Sequence, residues 1–222
     1  MKVSAIMPTF NQAEFLQEAI ESVVHQVDRL LIMDDGSTDG TREWLVEKGD
    51  DLDSWRGEEN KGTAAAINSG IRHLCRDGDL LTWVSSDNVH TKDWRHALER
   101  LFTDKVGAAY SAFWYGMDRK RVLYQPYDPK RLINSVNCYI GPSFMIRRDV
   151  WEKAGDHRGK ISHDYDHWLR VEEACWEMGL EIVSTRRPLC AYRVHDKRVT
   201  VTRKHEFDAR HWQEEARKRR AT

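Results

Sequence analysis

Acids gather at three points where apolar runs give way to polar loops. In Thr82–His90, TWVSSDNVH, Asp87 follows a hydrophobic run and stands between Ser85-Ser86 and Asn88. A carboxylate there is either a ligand for a hard divalent cation or the polar start of a turn. In Met33–Thr41, MDDGSTDGT, Asp34 and Asp35 adjoin a Gly-Ser turn. Their acceptor oxygens suit a ribose or a polar heterocycle, while Ser37, Thr38 or Asp39 equally suit the cap of a following helix. In Ser162–Arg170, SHDYDHWLR, Asp164 and Asp166 open a helical stretch. An acid at that place serves as a general base or simply complements the helix dipole.

The elements that must hold these residues show in the periodicity. Val3 to Met7 is a β-prone run stopped by Pro8; after Asn11, an N-cap candidate, AEFLQEAIESVV repeats apolar residues at helical spacing. RLLIM then ends at Asp34, TREWLVEK and GTAAAINSGIRHLC read as helices, DLLTWV as a strand, and DWRHALERLF as an amphipathic helix. Alternation of this kind predicts an α/β fold whose largely parallel sheet is covered by helices, with ligands at the carboxyl ends of the strands. The polar clusters after Met7, Met33 and Val84 fall at such ends. Further on, VGAAYSAFWYG, RVLYQPY, NCYIGPSFMIRR, EIVS and LCAYRVH predict strands, a helix begins near Asp149, and DYDHWLRVEEACWEMG predicts a helix ended by Gly179. The end, HEFDARHWQEEARKRRAT, predicts a charged helical tail, solvated and partly frayed.

Composition narrows the class. The 222 residues carry Lys+Arg 35 against Asp+Glu 36, so no global field draws the chain to nucleic acid or anionic membrane. A hydrophobic share of 40% with nine tryptophans is enough to bury one sizeable core. The opening apolar run is too short for a secretory signal and no later run approaches a membrane span, so a soluble, cytoplasmic protein is expected. Cys75, Cys138, Cys175 and Cys190 are dispersed, form no C-x-x-C pair and predict small buried thiols.

Seven stretches in one order carry a resemblance: MPTFNQAEFLQEAIESVVHQ, IMDDGSTDGT, NKGTAAAINSGI, LLTWVSSDN, GPSFMIRRDVWEKAG, HDYDHWLRV and PLCAYRVH. Together they resemble the family-2 glycosyltransferases of the GT-A, Rossmann-like fold, over nearly the whole chain. The resemblance implies a mixed, mostly parallel central sheet flanked by helices, in one domain over 1–222. Residues 1–100 would form a nucleotide-binding half, 101–204 an acceptor half and 205–222 a tail.

It also implies an enzyme that moves one sugar, with inversion, from a UDP-sugar to an acceptor hydroxyl. Pro8, Thr9 and Phe10 would line the nucleotide pocket, Asp35 would accept from the base imide, Lys61 and Gly62 would close over the nucleotide, and Asn68 would steady it. Relatives often carry an arginine where this chain has Ile67, and Lys61 would then serve the phosphates. Ser85 stands where the family's first metal-site acid would be, leaving Asp87 as ligand, with His195 beside it on Mn2+ or Mg2+; Ser85 or Ser86 would bond the ribose or a metal-bound water. Imidazole favours manganese over magnesium. Asp164 would be the base, with His163 where relatives often carry glutamate.

Trp114, Tyr115, Tyr124, Tyr127, Tyr139 and Trp168 suit stacking on sugars or core packing. A glycan, a lipid-linked glycan, a protein or a modified DNA base would each satisfy the acceptor role. Basic residues from Arg193 through Lys197, Arg198, Arg203, Lys204, Arg217, Lys218, Arg219 and Arg220 offer peripheral membrane or nucleic-acid contact. A nucleotidyltransferase would need a glycine-rich basic loop that PTFNQAEF lacks. A non-catalytic nucleotide-sugar-binding module is the alternative that Ser85 raises.

Overall fold

In the computed structural model, the residues described are 1–48, 55–57, 59–74, 79–135, 138–159, 162–196 and 209–221. The chain starts as alternating strands and helices: β1 (Val3–Thr9), α1 (Leu16–Val23), β2 (Arg29–Asp34), α2 (Thr41–Glu47), β3 (Trp55–Gly57), α3 (Thr63–Leu74) and β4 (Leu80–Trp83). Strand β1 is buried along its whole length, as a strand covered on both faces must be. It pairs in parallel with β2 on one side and β4 on the other, so Ile6 lies level with Leu31 and Trp83. Alternation then sorts the side chains. Val3, Ala5 and Met7 pack with Leu16, Ile20 and Val23 of α1, whereas Ile6 joins Leu31, Met33 and Ala66 beneath α3.

The second half continues the same sheet. After β5 (Val89–His90) and α4 (Trp94–Glu99) come β6 (Val106–Tyr115), β7 (Val122–Leu123), α5 (Pro129–Asn134), β8 (Phe144–Arg147), α6 (Arg148–Ala154), α7 (His163–Glu177) and β9 (Glu181–Tyr192). The order is β3-β2-β1-β4-β8-β6-β9-β5, with β7 on β6. Strand β8 runs antiparallel to both β4 and β6, which makes the sheet mixed. Helix α7 buries Tyr165, Trp168, Leu169 and Val171 in the core that also holds Tyr110, Phe144 and Ile146 of the sheet.

Several expectations are corrected. Helix α1 starts at Leu16, because Asn11 takes a left-handed φ of 53° and spends its side chain on the Thr38 N–H at 2.8 Å. RVLYQPY yields only Val122–Leu123, since Pro126 has no N–H for a ladder. EIVS and LCAYRVH are one strand, β9, which passes Pro188 by shifting register against β6. Strands β3 and β5 and helix α5 escaped the sequence pattern, each being six residues or fewer.

The tail also differs from expectation. Helix α8 (Arg210–Arg220) docks rather than frays: Arg219 pairs with Glu173 at 2.6 Å, Arg220 with Glu172, and Ala216 is fully buried. Arg217 donates to Asn134, so much of the tail's positive charge is engaged. Lys197, Arg198, Arg203, Lys204 and Cys75 lie outside the described residues. Of the other thiols, Cys175 and Cys190 are buried and Cys138 is half-buried, all three free. No helix among the described residues is long and apolar enough to cross a membrane.

Gly70 shows how closely α3 approaches the sheet. A Cβ there would meet Ile6 at 2.7 Å and Met33 at 3.1 Å. Gly70→Ala should therefore destabilise the fold by about 1–3 kcal/mol, the usual cost of overpacking, despite alanine's better helix propensity. Urea unfolding of the variant checks this; unchanged stability would mean that α3 stands off the sheet.

Candidate active site

Strand ends supply the site. The loops after β1 and β2 are laced together: Asn11 N–H donates to Ser37 Oγ at 2.9 Å, Gln12 N–H to Thr41 Oγ1 at 2.9 Å, and Asp35 N–H to the Thr9 carbonyl at 2.8 Å. Asp34 is buried and takes Arg42 Nε at 2.8 Å and the Ser37 N–H at 3.1 Å, an internal use that separates it from its neighbour. The capping expected of Ser37, Thr38 or Asp39 falls to Asp39, which accepts from the Thr41 N–H at 3.1 Å although Gly40 is the cap position.

Asp35, also buried, accepts the N–H of Lys61 at 2.8 Å and of Gly62 at 2.9 Å, one on each carboxylate oxygen. The carboxylate thus pins the loop before α3 against the end of β2. Gly62 has φ 91° there, a conformation that a side chain would strain. Pro8 and Thr9 end β1 buried, and Thr9 Oγ1 has no partner among the described residues. Phe10 is 43% exposed, so it is not a core aromatic. Lys61 projects from an exposed position, while Ile67 is fully buried in the core.

Asn68 is committed elsewhere than expected. Its amide donates to the His157 carbonyl at 2.9 Å and accepts the His157 N–H at 2.8 Å, tying α3 to the loop after α6.

The loop after β4 meets the end of β9. Asp87 Oδ2 lies 3.1 Å from His195 Nε2, although the two are 108 positions apart in the chain. Asp87 Oδ1 is buried and has no hydrogen-bond partner among the described residues. Arg193 braces the junction by donating from Nε to the Asp87 carbonyl at 2.8 Å and from its backbone N–H to Asn88 Oδ1 at 3.0 Å. Its guanidinium lies 4.7 Å from the Phe15 ring centre and pairs with Glu18. The His195 ring packs on the same Phe15 ring, with centroids 4.8 Å apart. Ser85 is half-buried and Ser86 buried in the same turn. An open groove of about 550 Å³ passes this point, lined by Glu14, Phe15, the turn from Tyr115 to Asp118, and Arg193 to His195.

A carboxylate oxygen left unpaired beside an imidazole fits a divalent cation, because a buried acceptor without a partner is costly unless something else completes it. No group of three or more His, Cys, Asp or Glu is arranged for a metal among the described residues, so such a cation would need oxygens from a ligand. Arg193 and Asn88 were missed as supports of this turn, since nothing in their spacing marks them.

Asp164 sits in the first turn of α7, where Oδ1 accepts the Tyr165 N–H at 2.9 Å. Its neighbour His163 packs on Trp83, the last residue of β4, with ring centroids 5.9 Å apart. Asp87 follows Trp83 by four positions, so the residue beside Asp164 touches the strand that leads to Asp87. Asp166 faces inward: burial pushes its carboxyl up, but hydrogen bonds from Arg158 and Arg170 outweigh that and hold it below its usual value. It is a structural acid, distinct in role from Asp164.

Comparison with solved structures identifies the architecture as the GT-A glycosyltransferase fold. Staphylococcus aureus TarS in complex with UDP-GlcNAc matches with a TM-score of 0.71 at 15% identity, covering 89% of this chain and 60% of that one. Glucosyl-3-phosphoglycerate synthase from Mycobacterium tuberculosis, with Mn2+, UDP-glucose and phosphoglyceric acid, gives 0.64 at 15% identity, covering 91% and 76%. The family model described as Glycosyl transferase family 2 matches residues 4–155, and the chain belongs to that family. An uncharacterized glycosyltransferase of Rickettsia typhi is 28% identical over 90% of this chain and 66% of its own length. Glycosyltransferase AglE of Haloferax volcanii is 31% identical over 76% and 60%. This chain therefore spans about two thirds or less of those relatives.

Buried imidazoles give the fold a pH limit. Burial pushes His90 down to about 4, and it lowers His157, His163 and His167 as well. The unfolded chain takes up these protons as pH falls through about 6.5, while the folded chain resists, so stability is complete above that pH and declines below it. The melting temperature, measured without metal or nucleotide, should drop between pH 7 and pH 5. A flat profile across that interval would show that these rings are protonated at no cost.

Proposed function

We propose that the protein is an inverting, metal-assisted glycosyltransferase that moves one sugar from a UDP-sugar to an acceptor hydroxyl. The observation that carries this reading is the Asp87–His195 junction at 3.1 Å, with a buried Asp87 oxygen that has no partner among the described residues. Family membership and the nucleotide-sugar ligands named for the structural neighbours support it.

In this reading Phe10 stacks against the base and Asp35 accepts from the imide as well as fastening the Lys61–Gly62 loop. Lys61 faces the diphosphate. Asp87 and His195 would hold Mn2+ or Mg2+, and the bound ion would neutralise charge on the departing diphosphate. Ser85 or Ser86 bonds the ribose or a water nearby. Asp164 takes the proton of the acceptor hydroxyl as oxygen attacks the anomeric carbon from the face opposite the diphosphate. One displacement inverts the anomeric centre. The acceptor carries a free hydroxyl, and the open groove beside His195 leaves room for a glycan; a modified DNA base is a second acceptor class that a salt-dependent affinity would reveal.

Asp164→Asn should keep UDP affinity and lower transfer by about 10²-fold or more, as read by mass spectrometry of products from candidate acceptors. Full activity in that variant would put the base elsewhere. Asp87→Ala should abolish the rise in melting temperature that manganese and UDP together give the parent. A rise of equal size in the variant would remove Asp87 from the metal site. A binding module without turnover would show the thermal shift and no product with any UDP-sugar.

A further inference from the structure

We propose that His157 and His163 form a positioning pair for Asp164, and that this pair makes sugar transfer sensitive to acid. The inference rests on the reading of Asp164 as the base.

The turn that carries Asp164 is held from several directions. Ser162, just before α7, has φ 60°, a conformation that a non-glycine residue keeps only when its surroundings impose it. His163, next in the chain, contacts His157 through Nδ1 to Nδ1 at 3.0 Å. His157 is itself fixed, because Asn68 of α3 grips its backbone at both N–H and C=O. The line of contacts therefore runs from the nucleotide-binding half through Asn68, His157 and His163 to the residue bearing the carboxylate. Behind it, the His167 ring stacks on His157 at 4.0 Å and 19°, and Trp151 packs against both.

An Nδ1 to Nδ1 hydrogen bond has a strict proton count. One ring donates and the other accepts, so the pair holds a single proton between the two atoms. A second proton puts a donor against a donor and the contact becomes repulsive. The surrounding charges act unequally. Asp164 and Asp166 on α7 favour a protonated His163, whereas Arg170 opposes protonation of His157 and His167. Arg158 is turned to Asp166 and Glu215, and Asp156 meets Arg72 of α3 at 3.3 Å. Strand β4 and helix α6 contribute the rings of Trp83 and Trp151. Burial dominates, so all three imidazoles stay neutral at pH 7 and the pair is intact there. Acid would break it and release the Asp164 turn.

The test uses the full chain with Mn2+ and UDP-glucose or UDP-GlcNAc, following UDP release with water as acceptor, alongside NMR of the ¹⁵N-histidine-labelled protein. Asparagine places an amide nitrogen close to where Nδ1 lies and does not titrate. His163→Asn should thus keep kcat within about threefold at pH 7.5 and shift the acid limb of the kcat profile down by about one pH unit or more. His163→Leu should lose at least tenfold in kcat with KM for the donor within twofold. If His163→Leu fails to fold, His157→Asn carries the same expectations as His163→Asn. In the parent, NMR should show one Nδ1–H shared by the pair and loss of that signal on acidification.

Two independent rings that each titrate near pH 6.5 would overturn the proposal, as would an acid limb unmoved in the asparagine variants. Loss of kcat in Asp164→Asn but not in His163→Leu would defeat the pair alone. Full turnover in Asp164→Asn would defeat the assignment of the base.

Discussion

A carboxylate from the end of β4 and an imidazole from the end of β9 meet at 3.1 Å, and the rest of the molecule is arranged so that they can. Strands β4 and β9 are not neighbours; β8 and β6 lie between them in the sheet. Their ends converge because β5, two residues long and reached directly from the Asp87 turn, pairs antiparallel with β9 at Val89–Ala191 and His90–Cys190. That short ladder is what brings His195 back over Asp87. Arg193 then fills the angle, bonding to the Asp87 carbonyl and to Asn88. Among the described residues the junction leaves one buried carboxylate oxygen without a hydrogen-bond partner, which is the place the proposed cation would occupy.

The two halves of the sheet divide the remaining work. In the parallel half, buried carboxylates fasten loops: Asp34 through Arg42 and Ser37, Asp35 through the backbone of Lys61 and Gly62. In the mixed half, the framework around α7 does so. Asp166 takes two arginines, and α8 adds Gln213, which donates to Tyr165 Oη at 3.3 Å and to the Ser135 carbonyl at 2.7 Å. The charged tail is therefore part of the frame that carries Asp164. Local charge pairing explains why it docks in a chain of nearly balanced charge: Glu172 and Glu173 of α7 face its arginines.

Much of this was legible in the sequence where periodicity was long or chemistry was concentrated. The strands β1, β2 and β4, the helices α3 and α7, and the acids at strand ends all stand out by pattern, and Asp87 and His195 were picked out by resemblance to a family. What escaped was short or non-local. Strand β5 is two residues of ladder within a polar loop, so no window detects it. The reach of Asn68 to His157 crosses 89 positions. The tail looked solvated because helical amphipathicity was masked by its charge; its partners are carboxylates, which hydrophobic patterning does not register. Phe10, expected by resemblance to line the nucleotide pocket, is an aromatic side chain 43% exposed at the end of β1.

The central claim is that Asp87 and His195 together hold a divalent cation when nucleotide is bound. Pulsed electron paramagnetic resonance of Mn2+ with UDP and the full chain addresses it directly. Modulation from a directly bonded imidazole nitrogen should be present in the parent and absent in His195→Ala. A manganese signal with UDP that lacks nitrogen modulation, or one that His195→Ala leaves unchanged, would contradict the account.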